Sequence, residues 1–113
     1  MTSLRPGDVV WIAFPHVETN RIASRPALIV SSSTLGAKQT LAWAMMITNA
    51  ERANWPGDVQ IADHKALGLP IKSKIRTEKI ATLDVSDATL MGKLPDDEFN
   101  RVKQLMWTYL GEE

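Results

Sequence analysis

From residue 8 to residue 94 the chain is built of short β-forming runs, each stopped by a turn signal, and a single amphipathic stretch follows. Short strands cannot bury their apolar faces alone, so this pattern predicts a mainly β protein: a compact antiparallel barrel with one C-terminal helix packed on it. Residues 8–14, introduced by Arg5-Pro6-Gly7, read as a first strand buried on much of both faces. Residues 15–24 read as a long polar loop, a candidate functional loop, and residues 27–31 as a second strand. Residues 41–48 carry apolar side chains on both faces, which suits the middle of a small barrel. A polar loop over 49–57 precedes a short strand at 58–61, and a turn follows through Gly68-Leu69-Pro70. Residues 71–76 and 79–83 form one interrupted strand or two short ones, Asp84 is placed to cap a brief helical turn, and residues 90–94 give a last strand. Phe99, Val102, Leu105, Met106, Tyr109 and Leu110 then recur at helical spacing, with Asp96, Asp97 and Glu98 in the first turn, where the helix dipole favours acids, and Gly111 as the stop.

A chain of 113 residues is expected to fold as one domain with a core of its own. It contains no cysteine, so a disulfide scaffold, a cysteine nucleophile and a thiolate metal site are excluded. The first residues lack the apolar core of a signal peptide and no run reaches membrane-spanning length, so the expected location is the cytoplasm. Thirteen basic and thirteen acidic side chains cancel, which argues against nucleic-acid binding by bulk electrostatics. The charges are unevenly placed, however. Residues 65–79 hold Lys65, Lys72, Lys74, Arg76 and Lys79 against Glu78 alone, whereas residues 84–98 hold five acids against Lys93. A basic strip ahead of an acidic end serves as a solvated surface or as a small site for an anionic polymer.

Most catalytic templates are missing. His16 and His64 lie in different segments and make no metal-ligand pair, there is no glycine-rich phosphate loop, and no Gly-x-Ser-x-Gly elbow surrounds Ser31, Ser32 or Ser33. What remains is a set of polar residues at expected strand ends: Arg25 before Pro26, Thr48 at the end of the third strand, and Arg76-Thr77-Glu78. Proline fixes its own backbone and biases Arg25 toward an extended conformation, so a rigid fork of donors is aimed from a sheet rim. Alternation along a strand sets Arg76 and Glu78 on one face. Such a set suffices to cleave RNA by attack of a 2′-hydroxyl on the adjacent phosphate, which needs a proton acceptor, positive charge on the phosphorane and a donor for the leaving 5′-oxygen. Equally open are a surface ion pair for Arg25, an ordinary strand threonine at 48, and an Arg76–Glu78 pair.

The same residues resemble a known family. Arg5-Pro6-Gly7-Asp8-Val9-Val10-Trp11, Ser24-Arg25-Pro26-Ala27-Leu28-Ile29-Val30-Ser31, Ile47-Thr48-Asn49 and Arg76-Thr77-Glu78-Lys79-Ile80-Ala81-Thr82-Leu83-Asp84, followed by Met91-Gly92-Lys93-Leu94 and the terminal helix, are similar in order and spacing to toxins of the MazF/PemK type from bacterial toxin-antitoxin pairs. The resemblance implies a small SH3-like barrel, active as a homodimer with RNA in grooves at the dimer interface. It also implies metal-free endoribonucleolytic cleavage of single-stranded mRNA without a cofactor, leaving a 2′,3′-cyclic phosphate and a 5′-hydroxyl. Arg25 and Thr48 stand where the family has its catalytic arginine and threonine, and Arg76 and Glu78 where it places acid-base residues. On that footing Arg25 stabilises the phosphorane, Thr48 bonds the same phosphate, Glu78 is the base, and Arg76 orients Glu78 or assists the leaving oxygen. Asn20, Arg21, Asn49 and Lys79 are the expected RNA contacts. The chain departs from the family in Glu18-Thr19-Asn20-Arg21-Ile22-Ala23, where members often read Gly-Ser-Glu-Gln-Gly-Gly.

A cognate antitoxin, an acidic or apolar tail that folds on binding, is expected to block the Arg25 rim. Two other functions share the expected fold. One is a DNA gyrase poison of the CcdB type, suggested by Leu105-Met106-Trp107 with an exposed Trp107, although that activity depends on a terminal tryptophan and the sequence here closes with Gly111-Glu112-Glu113. The other is a catalytically inactive binding barrel.

Overall fold

The computed structural model describes residues 4–16 and 21–112. Six strands, β1 (Asp8–His16), β2 (Arg21–Ile29), β3 (Leu41–Asn49), β4 (Asp58–Gln60), β5 (Ser73–Asp84) and β6 (Thr89–Lys93), precede one helix, α1 (Asp96–Tyr109). They form one antiparallel sheet in the order β4-β5-β3-β2-β1-β6. The mainly β architecture with a C-terminal helix is therefore as the sequence implies. The ladder leaves β4 and β6 as edges, and the sheet curls toward a barrel without closing it. A short 3-10 turn at Lys65–Leu67, unannounced in the sequence, packs on β6. Leu67 comes so close to Gly92 that a Cβ there would meet the Leu67 Cδ2 at 3.2 Å.

Strand alternation divides the core in two. Val9, Leu28, Met45, Ile47 and Ile75 bury one face together with Leu67, Leu69, Leu94 and Val102 of α1. Val10, Ile12, Phe14, Ala27, Ile29, Ala44 and Met46 are buried on the other. Neighbours in sequence thus serve opposite faces, the period of two that a strand imposes. A fully buried side chain such as Leu28 or Met45, both 0% exposed, contributes about 2–5 kcal/mol against truncation to alanine. The helix is seated by Phe99, Val102, Leu105 and Met106. Leu110, which the spacing includes in the apolar stripe, lies past the helix end and is 73% exposed.

Two expectations change. First, β1 extends to His16 and β2 begins at Arg21, pairing from Val9↔Leu28 to His16↔Arg21, so residues 15, 16 and 21–24 of the expected loop at 15–24 are paired strand and Arg25 lies inside a strand opposite Ile12. Turn-like residues do not end a strand that a facing strand continues to pair. Pro26 is tolerated because β2 pairs with β3 only over Ala27–Ile29, which leaves the preceding part of β2 an edge on that side. Second, Asp84 caps no helix: its Oδ1 accepts the Ser86 backbone N–H at 2.9 Å and closes a turn.

The interruption expected between residues 76 and 79 is a bulge in a continuous strand, and the β1–β6 ladder carries a second bulge. On β5, Ile80 pairs with Met45 but Arg76 pairs with Met46, so Thr77, Glu78 and Lys79 are looped out of the ladder. On β1, Val9 pairs with Gly92 and Val10 with Leu90.

Candidate functional site

The β3 and β5 registers bring the polar residues to one end of the face that carries Met46. Cross-strand partners share a face, so Asp58, Arg76 and Met46 form one row, and Gln60, Lys74 and Thr48 the next. Arg25 joins this end from β2, where its Nη1 lies 3.8 Å from the Met46 Sδ. Continuing the Ala27↔Met46 register sets Arg25 opposite Thr48 just where the two strands part. Both residues are half-buried. The structure therefore brings Arg25 and Thr48 together on neighbouring strands, although the sequence places Arg25 at a rim for the wrong reason.

Arg76 and Lys74 behave differently from what the sequence suggests. Lys74 is fully buried; its Nζ donates to the Arg52 carbonyl at 2.6 Å and to Asn54 Oδ1 at 2.7 Å, and pairs with Asp58 Oδ2 at 3.1 Å. Arg76 donates from Nε and Nη2 to the two Asp58 oxygens at 3.2 and 3.1 Å, and from Nη2 to the Ala53 carbonyl at 2.6 Å. Its guanidinium also lies over the Trp55 ring, 4.5 Å from the centroid. The expected pairing or co-alignment of Arg76 with Glu78 is thus corrected. The bulge breaks the alternation between them, and a buried guanidinium takes the carboxylate that is buried beside it. The basic strip loses two of its five members to this knot, which ties the loop 50–57 down on β5.

Asp58, unremarked in the sequence, is the hub. Burial raises its pKa, but hydrogen bonds from Arg76, the Trp55 N–H and Lys74, with the Arg76 charge, outweigh that and hold the carboxyl below its ordinary value. Trp55 is pinned through its backbone, its N–H donating to Asp58 Oδ2 at 3.0 Å and its carbonyl accepting the Asp58 N–H at 3.1 Å.

Glu78 stands outside the knot. It is exposed on the bulge and makes no hydrogen bond or ion pair with the described residues. The residue before it is anchored: Thr77 Oγ1 donates to the Gly57 carbonyl at 2.6 Å and shares a hydrogen bond with the Tyr109 hydroxyl of α1. Glycine is required at 57, because a Cβ would fall 2.0 Å from the Tyr109 Oη, 2.6 Å from Thr77 Oγ1 and 3.3 Å from the Glu78 Cγ. Lys79 is half-buried in the same bulge. Asn49 Oδ1 accepts the Glu51 N–H at 2.9 Å, which leaves its amide N–H groups for other partners. Asn20 lies outside the described residues; the Arg21 backbone pairs with His16 in β2, and its side chain is likewise outside them. No group of three or more His, Cys, Asp or Glu side chains that could hold a metal ion exists among the described residues. Trp107 is 58% exposed and, with Asn100, Lys103, Gln104 and Thr108, lines a shallow groove on the outer side of α1.

Fold and site together define a class: a small curled antiparallel sheet with a C-terminal helix, with an arginine and a threonine on adjoining strands and an exposed carboxylate on a bulge of the next strand. The family profile for the PemK-like, MazF-like toxin of type II toxin-antitoxin systems matches residues 5–108, and the chain belongs to that family. Solved structures agree on the fold. MazF from Deinococcus radiodurans is 23% identical with a TM-score of 0.78, the match covering 98% of this chain and 99% of that one. An endoribonuclease from a mycobacterial species is 20% identical with a TM-score of 0.68, covering 99% and 95%. A mycobacterial endoribonuclease in complex with its cognate antitoxin is 20% identical with a TM-score of 0.66, covering 93% and 92%. No curated protein matches the sequence significantly.

Proposed function

We propose that this protein is a metal-independent endoribonuclease toxin that cleaves single-stranded mRNA, arresting translation and growth in the cytoplasm until a cognate antitoxin covers the site. The observation that carries this reading is the meeting of Arg25 and Thr48, a cation and a hydroxyl on adjoining strands, with Glu78 on the bulge of β5, the next strand, unpaired among the described residues. Membership of the toxin family supports it, as does the activity attached to one of the structural neighbours.

In this mechanism Glu78 accepts the 2′-hydroxyl proton as the 2′-oxygen attacks the adjacent phosphorus. Arg25 stabilises the phosphorane, because a guanidinium fork is most effective where negative charge accumulates, and Thr48 donates to a non-bridging oxygen. The 5′-oxygen leaves and takes a proton from solvent at the open rim. Arg76 holds Asp58 and the loop 50–57, and so supports the site from beneath. The Asn49 amide and Lys79 contact flanking nucleotides in this reading, and Arg21 and Asn20 are further RNA contacts.

Partner binding follows from surface chemistry. Trp11 and Trp43 are 43% and 47% exposed, on the face opposite the site, and Ile80 is 45% exposed. Apolar surface of this size is suited to burial by a second copy in a homodimer or by the antitoxin, a partner that one of the structural neighbours carries. Arg25→Ala tests the assignment: cleavage of a single-stranded RNA should fall about a hundredfold or more, the cost of deleting one donor to a developing oxyanion. Retained cleavage would remove Arg25 from the mechanism. The exposed Trp107 favours a gyrase-poison reading, for which gyrase arrest without RNA cleavage would be the deciding result.

A further inference from the structure

The indole of Trp55 has no part in the chemistry above, yet it is held with more contacts than any other residue of its loop. We propose that Trp55 is a stacking platform for one unpaired base of the RNA strand, next to the scissile phosphate; the inference rests on the ribonuclease reading and names a subsite within it.

Three observations support it. The first is exposure of a side chain that is otherwise costly to leave in water. Trp55 is 40% exposed, and the Arg76 guanidinium lies over one ring face, 4.5 Å from the centroid, so a base would stack from the other side. The second is rigidity. Both backbone polar groups of Trp55 bond to Asp58, Pro56 restricts the backbone of Trp55 before it, and Lys74 and Arg76 grip the carbonyls of Arg52 and Ala53 just upstream. A ring already fixed loses little freedom when a base settles on it. The third is location. The loop leaves β3 one residue after Thr48, and two residues past Trp55 the Gly57 backbone lies against the Glu78 side chain. The indole itself lies over Arg76, whose cross-strand row with Met46 is next to the row of Lys74 and Thr48. A nucleobase suits this place better than an aliphatic group, because every base has a flat face for the indole, and the cation below binds to the ring's other side.

The test is a binding measurement free of turnover. Cleavage of a mixed RNA first locates the cut, and a labelled oligonucleotide spanning it, with 2′-deoxyribose at the cut, is titrated by fluorescence anisotropy. Abasic residues are introduced one position at a time. With wild-type protein, one abasic position flanking the cut should weaken binding about 5- to 100-fold, the range associated with loss of a single base–aromatic stack. Trp55→Ala should weaken binding of the intact oligonucleotide by a similar factor and should no longer respond to that abasic position. Trp55→Phe should restore most of the affinity. Trp55→Leu, which keeps an apolar cover over Arg76 but cannot stack, should behave as the alanine variant does and guards against misfolding of the latter. In turnover, Trp55→Ala should raise KM and leave kcat nearly unchanged. Wild-type affinity and an unaltered abasic profile in Trp55→Ala and Trp55→Leu would overturn the stacking role while leaving the ribonuclease reading intact. Wild-type protein that neither binds nor cleaves RNA would overturn both.

Discussion

The two halves of β5 present a contrast within one strand. Before the bulge, Lys74 and Arg76 are buried and every charge meets a partner, chiefly Asp58. Within the bulge, Glu78 faces solvent with no partner among the described residues. Charges that hold a fold together must be paired, since burial without compensation is expensive, whereas a charge meant for a substrate gains from being left open. Two residues of sequence separate the two situations, and the bulge makes the change possible by releasing Thr77, Glu78 and Lys79 from the ladder.

The contrast breaks most sharply at the exposed end. Glu78→Gln should reduce RNA cleavage about 10²- to 10⁴-fold, as expected for loss of a general base, with no change in the urea unfolding midpoint. At the paired end the expectation inverts. Asp58→Ala leaves two buried cations without their common anion and should lower unfolding free energy by about 3–5 kcal/mol, read from denaturant titration. Acid offers a gentler version. The carboxyl of Asp58 is depressed in the folded protein, so its stabilisation is fully present above the unfolded-state value of about 4 and is lost as pH falls through the folded value. Wild-type stability should therefore decline below about pH 4 more steeply than that of Asp58→Asn. The smallest effect belongs to the joint between the halves. Thr77→Val removes the hydrogen bonds to Gly57 and Tyr109 and should cost about 1–2 kcal/mol, with a larger proportional fall in cleavage than in stability if the bulge positions Glu78.

Much of this was legible in the sequence, though unevenly. The strand-and-turn pattern and the helical spacing from Phe99 onward gave the architecture because period and punctuation are local properties. Arg25, Thr48 and Glu78 could be singled out from residue type and expected strand ends. Residues 21–24 read as loop because their partner, residues 13–16, lies across a hairpin, and pairing overrides propensity. The Asp58 hub was missed for a related reason. Its partners are 16 and 18 residues away, and nothing beside Asp58 in the sequence marks it as an acid between two buried cations. One signal was available: a lysine and an arginine at alternate positions of a strand, on a face otherwise expected to be apolar, require a buried anion. Trp55 carried no comparable signal, since its importance depends on Arg76 reaching it from another strand.

The most direct test of the central claim is the chemistry of the product ends. Purified protein incubated with single-stranded RNA in EDTA should give fragments ending in 2′,3′-cyclic phosphate and beginning with 5′-hydroxyl, and Glu78→Gln should give almost none. Intact RNA after incubation with folded wild-type protein, or fragments with 3′-hydroxyl and 5′-phosphate ends, would contradict it.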